Sequence, residues 1–251
     1  MDGRIRFAAA LLRGYHTIAF YVVLAVFGIV FLGWNPIAAL LHWGLPKRTA
    51  TTVGQYMIMR GFRCLLWLMQ VAGLARFDLT ALDVLRDEPG LVIAPNHPSL
   101  IDVLLVTSRL PRVTCVTKAS LWDNPALGAG ARLAAYIRND APHRLVRHAA
   151  ASVAAGHQLL IFPEGSRTAE PPVSPLKGGF ALMARLAGAP VQTVLLESNS
   201  PYLRKGWPLL RQPHFPLVYR ARLGRRFEVT GSAEAFARQL EAYFRAELGP
   251  S

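Results

Sequence analysis

A chain of 251 residues can build one substantial domain, with length left over for an appendage. Apolar residues make up 52% and charged residues only 17%, a high apolar share for a soluble domain. Two cysteines, Cys64 and Cys115, exclude a disulfide framework and offer no metal site, which fits a reducing cytosolic face. Against 15 Asp and Glu stand 28 Lys and Arg, so the formal charge is +13 and the chain attracts polyanions.

Residues 14–46 contain no Asp, Glu, Lys or Arg, and as one helix residues 18–41 exceed the roughly 20 residues that cross a bilayer. Arg4, Arg6 and Arg13 precede this run, as they would in a signal peptide. The run is longer than an h-region of about 7–15 residues and no small-x-small site closes it, so it predicts retained membrane anchoring. Beside such an anchor the positive charge is expected to meet anionic lipid headgroups rather than nucleic acid, at about 1 kcal/mol per basic residue near the surface. Lys47, Arg48, Arg60 and Arg63 follow the run, so a single span would put a positive flank outside. Gly33-Trp34-Asn35-Pro36 interrupts it, and Pro and Gly disfavour a continuous helix. A re-entrant hairpin broken there is therefore expected in preference to a single span. Residues 50–74, centred on Leu65-Leu66-Trp67-Leu68-Met69, predict a second helix, either on the membrane with Arg60 and Arg63 reaching headgroups or in the core.

From about residue 76 short β-rich runs alternate with helical stretches. Strands are predicted over 91–95, 113–117, 158–162, 191–196 and 218–223, and helices over 99–109, 142–155, 179–187 and 233–248. Pro142 suits a first helical turn. Phe236, Leu240, Phe244 and Leu248 recur at helical spacing as a packing stripe. The alternation predicts an α/β fold, a mostly parallel central sheet flanked by helices with an N-terminal membrane-embedded helical segment. The expected division is a membrane-anchoring region, 1–75, and a catalytic domain, 76–251.

Two polar clusters each follow a buried strand, where α/β folds present their chemistry. His97 can act as a general base because imidazole titrates near neutral pH. Asp102 is five positions on, about 140° away on a regular helix. The two can pair if His97 sits on the strand-to-helix turn and Asp102 in the first helical turn, a geometry Pro98 favours. Ser99 lacks a G-x-S-x-G setting and reads as a helix-start residue rather than a nucleophile. In the second cluster Gly165 allows close backbone approach to a ligand. Arg167 can hold a phosphate through two parallel hydrogen bonds. Glu164 would accept from a ligand hydroxyl or hold Arg167. Lys118 and Lys177, at a strand end and a helix start, are further candidates to meet phosphate. Tyr202, Arg204, Lys205, Trp207 and Arg211 form an aromatic and basic stretch suited to a membrane interface, more than to single-stranded nucleic acid.

The two clusters read His97-Pro98-Ser99-Leu100-Ile101-Asp102 and Phe162-Pro163-Glu164-Gly165-Ser166-Arg167. They resemble the H-x-x-x-x-D and F-P-E-G-[ST]-R boxes of the glycerolipid acyltransferase (PlsC-type) family, which acylates glycerol 3-phosphate or 1-acyl-glycerol-3-phosphate. With seven His and seven Asp the first box alone is weak, expected by chance in roughly one such chain in five. The second box, at a family-like distance, carries the resemblance over approximately residues 75–225.

The resemblance implies a membrane-associated O-acyltransferase in which His97, held by Asp102, deprotonates the acceptor hydroxyl without an acyl-enzyme. Glu164, Gly165, Ser166 and Arg167 would bind the acceptor, joined by Lys177. Arg138, in Ala135-Tyr136-Ile137-Arg138-Asn139-Asp140, stands where the family carries a phosphate-binding Arg box, here without its glycine. Ala189-Pro190-Val191-Gln192-Thr193-Val194 stands for the V-P-I-x-P-V box, with Thr193 replacing the second proline. These departures bear on the acceptor more than on the reaction. The implied donor is acyl-CoA or acyl carrier protein, the acceptor lysophosphatidic acid and the product phosphatidic acid. No cofactor, metal or nucleic acid is expected, and the implied location is the cytoplasmic face of a bacterial inner membrane. The alternatives are the same chemistry on a specialised acceptor, such as an amino-acid lipid or a polyene- or polyketide-linked lipid, and a non-catalytic lipid-binding protein that keeps the fold.

Overall fold

The computed structural model describes residues 2–125 and 127–249. Met1, Ala126, Pro250 and Ser251, and with them the outer ends of both expected domains, lie outside the described residues, as does the Arg4 side chain. Two long helices come first, α1 (Asp2–Gly44) and α2 (Lys47–Val71). The expected hairpin break at Gly33–Pro36 is not there: α1 runs continuously through Pro36, and the chain turns at Leu45-Pro46. A proline inside a helix removes one backbone donor, and here packing outweighs that loss. Phe20, Phe27, Trp34 and Ala38 face inward at helical spacing, with Phe20 and Ala38 buried. Asn35, 2% exposed, donates from Nδ2 to the Phe31 carbonyl at 2.8 Å and accepts from the Gly130 N–H at 3.4 Å. The polar interruption is thus the place where α1 docks on the domain.

The outer face of α1 is different. Ile18, Val22, Val26, Ile29, Ile37 and Leu40 are exposed, and residues 5–44 are long and apolar enough to cross a membrane. At about 1.5 Å per residue α1 is roughly 65 Å long, twice a hydrocarbon core of about 30 Å. It is packed against the domain over much of that length. On α2, Gly54, Gln55, Met59, Leu65, Leu66 and Met69 turn inward, while Tyr56, Met57 and Trp67 stay exposed, so one face of this helix is core and the other open. Gly54 permits the closest approach, since a Cβ there would lie 2.6 Å from the Ala134 nitrogen.

The rest is a seven-stranded sheet in the order β1-β7-β6-β2-β5-β3-β4. Its strands are β1 (Ala75–Asp78), β2 (Val92–Pro95), β3 (Val113–Lys118), β4 (Ile137–Asn139), β5 (Gln158–Leu160), β6 (Val191–Ser198) and β7 (Leu217–Phe227). All pairings are parallel except β6 with β7. The mixed α/β class with a mostly parallel sheet is as the sequence predicts. The helices on it are α3 (Asp102–Thr107), α4 (Ala119–Trp122), α5 (Ala129–Leu133), α6 (Pro142–Ala154), α7 (Gly179–Ala187) and α8 (Ala233–Leu248), with a 3₁₀ turn at Thr80–Leu85. One core joins α1, α2 and α3 to the sheet through residues such as Leu66, Leu105 and Leu217. The other joins α6, α7 and α8 through Val153, Phe180 and Phe236. Helix α3 is shorter than the 99–109 expected, because residues 98–101 form a turn and the helix begins at Asp102.

Candidate active site

Strands β2 and β5 are neighbours, with Val92 beside Leu159 and Ile93 beside Leu160. The segments leaving their ends, one with His97 and one with Phe162–Arg167, must therefore meet at one edge of the sheet, the usual place for a ligand in an open α/β fold. Asn96 fixes the exit of β2. Its Nδ2 donates to the Leu196 carbonyl at 3.0 Å and its Oδ1 accepts from the Leu196 N–H at 2.7 Å.

His97 Nδ1 lies 3.0 Å from Asp102 Oδ2, with His97 8% and Asp102 1% exposed. His97 is on the turn after β2 and Asp102 is the first residue of α3, so the register that would separate them on one helix does not apply. Asp102 also reaches back to accept from the Ser99 N–H at 2.7 Å, as the acidic member of a capping box does. Burial pushes the Asp102 carboxyl above the usual carboxylate range, although hydrogen bonds from His97 and Ser99 pull it down. Ser99 Oγ donates to the Tyr202 carbonyl at 2.8 Å and is buried, a structural role.

The second box grips His97 by its backbone. Glu164 Oε1 accepts from the His97 N–H at 2.8 Å, and the Thr168 N–H donates to the His97 carbonyl at 2.7 Å. Glu164 Oε1 also accepts from Thr168 Oγ1 at 2.9 Å, and Oε2 from the Ser174 N–H at 2.9 Å. Phe162 stacks on the imidazole with ring centroids 3.8 Å apart. Glu164, 3% exposed, is thus filled by internal partners and does not pair with Arg167. Arg167 instead donates from Nη1 to the Leu203 and Arg204 carbonyls at 3.0 and 3.1 Å. Its Nε and Nη2 form no hydrogen bond among the described residues.

Gly165 has φ +71° and carries Lys177 close above it: a Cβ there would lie 2.9 Å from Lys177 Nζ. Any other residue would be strained by the backbone and would push the flexible end of the lysine aside. Ser166 is exposed beside them. A cavity of about 180 Å³ opens next to the dyad between Asn96, Pro98, Ser99, Thr168, Leu196 and Arg204. The structure therefore brings His97, Asp102, Glu164, Gly165, Ser166, Arg167 and Lys177 together. Arg138 stands apart on β4, separated from β2 by the two strands β5 and β3, with Asp140 and Asp123 on its guanidinium at 2.7 and 2.6 Å. Thr193, in place of the second proline, is fully buried and donates to the Arg225 carbonyl at 2.6 Å. Thr168 and Ser174 escape sequence reasoning, because they act by bonding a backbone or a carboxylate whose position depends on the fold.

Residues 76–197 match the family model described as Acyltransferase. The chain is an acyltransferase, similar over this region to the glycerolipid acyltransferases. Among its relatives, a Caenorhabditis elegans protein named as a 1-acyl-sn-glycerol-3-phosphate acyltransferase, acl-1, is 27% identical over 197 residues, 75% of this chain and 72% of that one. The 1-acyl-sn-glycerol-3-phosphate acyltransferase of Pseudomonas aeruginosa is 23% identical over 201 residues, 78% of this chain and 76% of that protein. The fold is shared with the crystal structure of the 1-acyl-sn-glycerophosphate (LPA) acyltransferase PlsC of Thermotoga maritima, with a TM-score of 0.68. That match has 17% identity and covers 97% of this chain and 95% of the other.

Proposed function

We propose that the protein transfers a fatty acyl group from acyl-CoA or acyl carrier protein to the free hydroxyl of lysophosphatidic acid, giving phosphatidic acid at a membrane surface. The observation that carries this reading is the His97–Asp102 pair with the His97 backbone held at both its N–H and its carbonyl. Ionised Asp102 favours the tautomer with a proton on Nδ1, which leaves Nε2 free to accept one. The acceptor oxygen attacks the thioester carbon as its proton moves to Nε2. The tetrahedral intermediate then expels the thiolate, and the imidazolium returns the proton to sulfur, so no acyl-enzyme forms. Lys177 over Gly165 and the unbonded donors of Arg167 supply positive charge for the acceptor phosphate. Arg138, already shared by two carboxylates, is the weaker phosphate ligand.

The exposed apolar face of α1 and the open face of α2 suit partial immersion in one leaflet, with the domain kept in water. Purified protein in vesicles, given labelled acyl-CoA and a panel of acceptors, tests the assignment. Phosphatidic acid formed from lysophosphatidic acid is expected. Turnover only with acceptors that lack phosphate would replace that substrate by a specialised one.

A further inference from the structure

Residues 199–216 connect β6 to β7 without helix or strand, yet the segment is tightly built. Trp207 Nε1 donates to the Arg211 carbonyl at 3.0 Å, Arg211 lies over the Trp207 ring at 4.9 Å, and Tyr202 meets that ring edge-on. Backbone bonds from Arg204 to Pro201, Trp207 to Arg204 and Arg211 to Pro208 close successive turns, as in a compact Ω-type loop. At its tip Leu209 and Leu210 are 56% and 65% exposed, flanked by the exposed bases Arg204, Lys205 and Arg211.

This loop is fastened to both α1 and the site. On one side Thr17 Oγ1 lies 3.0 Å from Gln212 Oε1, and Tyr21 donates its hydroxyl to the Leu210 carbonyl at 3.1 Å. Thr17 and Tyr21 are one turn apart, beside the exposed Ile18 and Val22 of the outer apolar face. On the other side the loop's carbonyls hold Arg167, through Leu203 and Arg204, and Ser99, through Tyr202.

We propose that this loop is a second membrane contact, its Leu209–Leu210 tip entering the interface of an anionic bilayer beside α1 while Arg204, Lys205 and Arg211 meet lipid phosphates. The occupant follows from charge and continuity. Two exposed leucines ringed by bases match an apolar interior under anionic headgroups, and the tip extends the apolar face of α1. Because the same loop positions Arg167, it hands a membrane-resident acceptor directly to the phosphate-binding side of the site. The proposal rests on the membrane-surface reading above.

The test is a depth measurement on the full chain in phosphatidylcholine–phosphatidylglycerol vesicles. In a Cys64→Ser background, where the remaining Cys115 is buried, a spin label is placed at Leu210→Cys, with references at Val22→Cys on α1 and Leu186→Cys on α7. The label at 210 is expected to give an oxygen-to-nickel collision ratio near that at 22, and to shift toward that at 186 when Arg204, Lys205 and Arg211 become Gln. A ratio at 210 equal to that at 186, with 22 buried in lipid, overturns the proposal and leaves the anchor intact. Water exposure at both 22 and 210 removes the anchor as well. Neither outcome depends on turnover, so both are distinct from failure of the catalytic assignment. A Leu209→Asp/Leu210→Asp variant should raise KM severalfold for vesicle-embedded lysophosphatidate and leave KM for a short-chain, water-soluble one unchanged. Equal loss with both acceptors contradicts the delivery role.

Discussion

Glu164 and Asp102 are two buried carboxylates with opposite duties. Glu164 is a structural clasp whose two oxygens accept from His97, Thr168 and Ser174. Replacing it by Gln puts an amide donor against one of these donors, and an unmet buried pair costs about 1–3 kcal/mol. Glu164→Gln is therefore expected to lower the unfolding midpoint and kcat together, with KM for the acceptor little changed; chemical unfolding and steady-state kinetics check this. Asp102 behaves differently. Its folded pKa is raised by burial, so the folded state binds its proton more tightly than the unfolded chain does. The contribution of this group to stability is greatest below the ordinary carboxylate pKa and declines as pH rises toward the raised folded value. In its ionised form, the form that would orient His97, the buried carboxylate costs stability. Asp102→Asn should leave the thermal midpoint at pH 7 unchanged or higher, and lower kcat by about 10²–10⁴-fold by favouring the wrong imidazole tautomer. A lower midpoint would mark Asp102 as a fold residue instead.

At the scale of elements, the legible parts of the sequence were those with strong periodicity or buried runs. The central strands and α6, α7 and α8 lie close to where hydrophobic pattern puts them. Strands β1 and β4 were not legible, because Ala75-Arg76-Phe77-Asp78 and Ile137-Arg138-Asn139 are short edge strands of mixed polarity, stabilised by a neighbour rather than by their own composition. The Gly33-Trp34-Asn35-Pro36 signal favours a break locally and is a docking patch in the fold, since local propensity carries no information about Gly130 across the interface. The site divided the same way. His97, Asp102 and the FPEGSR box could be named from sequence, whereas the backbone clasp around His97, and the carboxylates that occupy Arg138, needed the fold. Gly54 is a direct test of how α2 sits. Gly54→Ala would put a methyl group 2.6–2.8 Å from the backbone of Leu133 and Ala134. Overpacking of that kind costs typically 1–3 kcal/mol or about that, so a clear fall in the unfolding midpoint is expected, and an unchanged one would mean that the α2–α5 contact is looser than described.

For the whole molecule, the +13 charge and the uncovered apolar face of α1 act in the same direction. On the membrane-surface reading proposed above, charge would draw the protein to an anionic surface over a distance that salt limits to about 10 Å at 0.1 M, and apolar burial would then hold it there. Such a layout would leave the sheet edge with His97 free to receive the proposed soluble donor while the proposed acceptor stays in the lipid. The central claim, however, is chemical: His97 is the base that activates the acceptor hydroxyl. The most direct measurement follows phosphatidic acid formed from labelled acyl-CoA and lysophosphatidic acid by the vesicle-bound protein and by its His97→Ala variant, after circular dichroism has established that both are folded. Loss of about 10²–10⁴-fold in kcat with the fold retained is the predicted result; turnover near that of the unaltered protein would contradict the account.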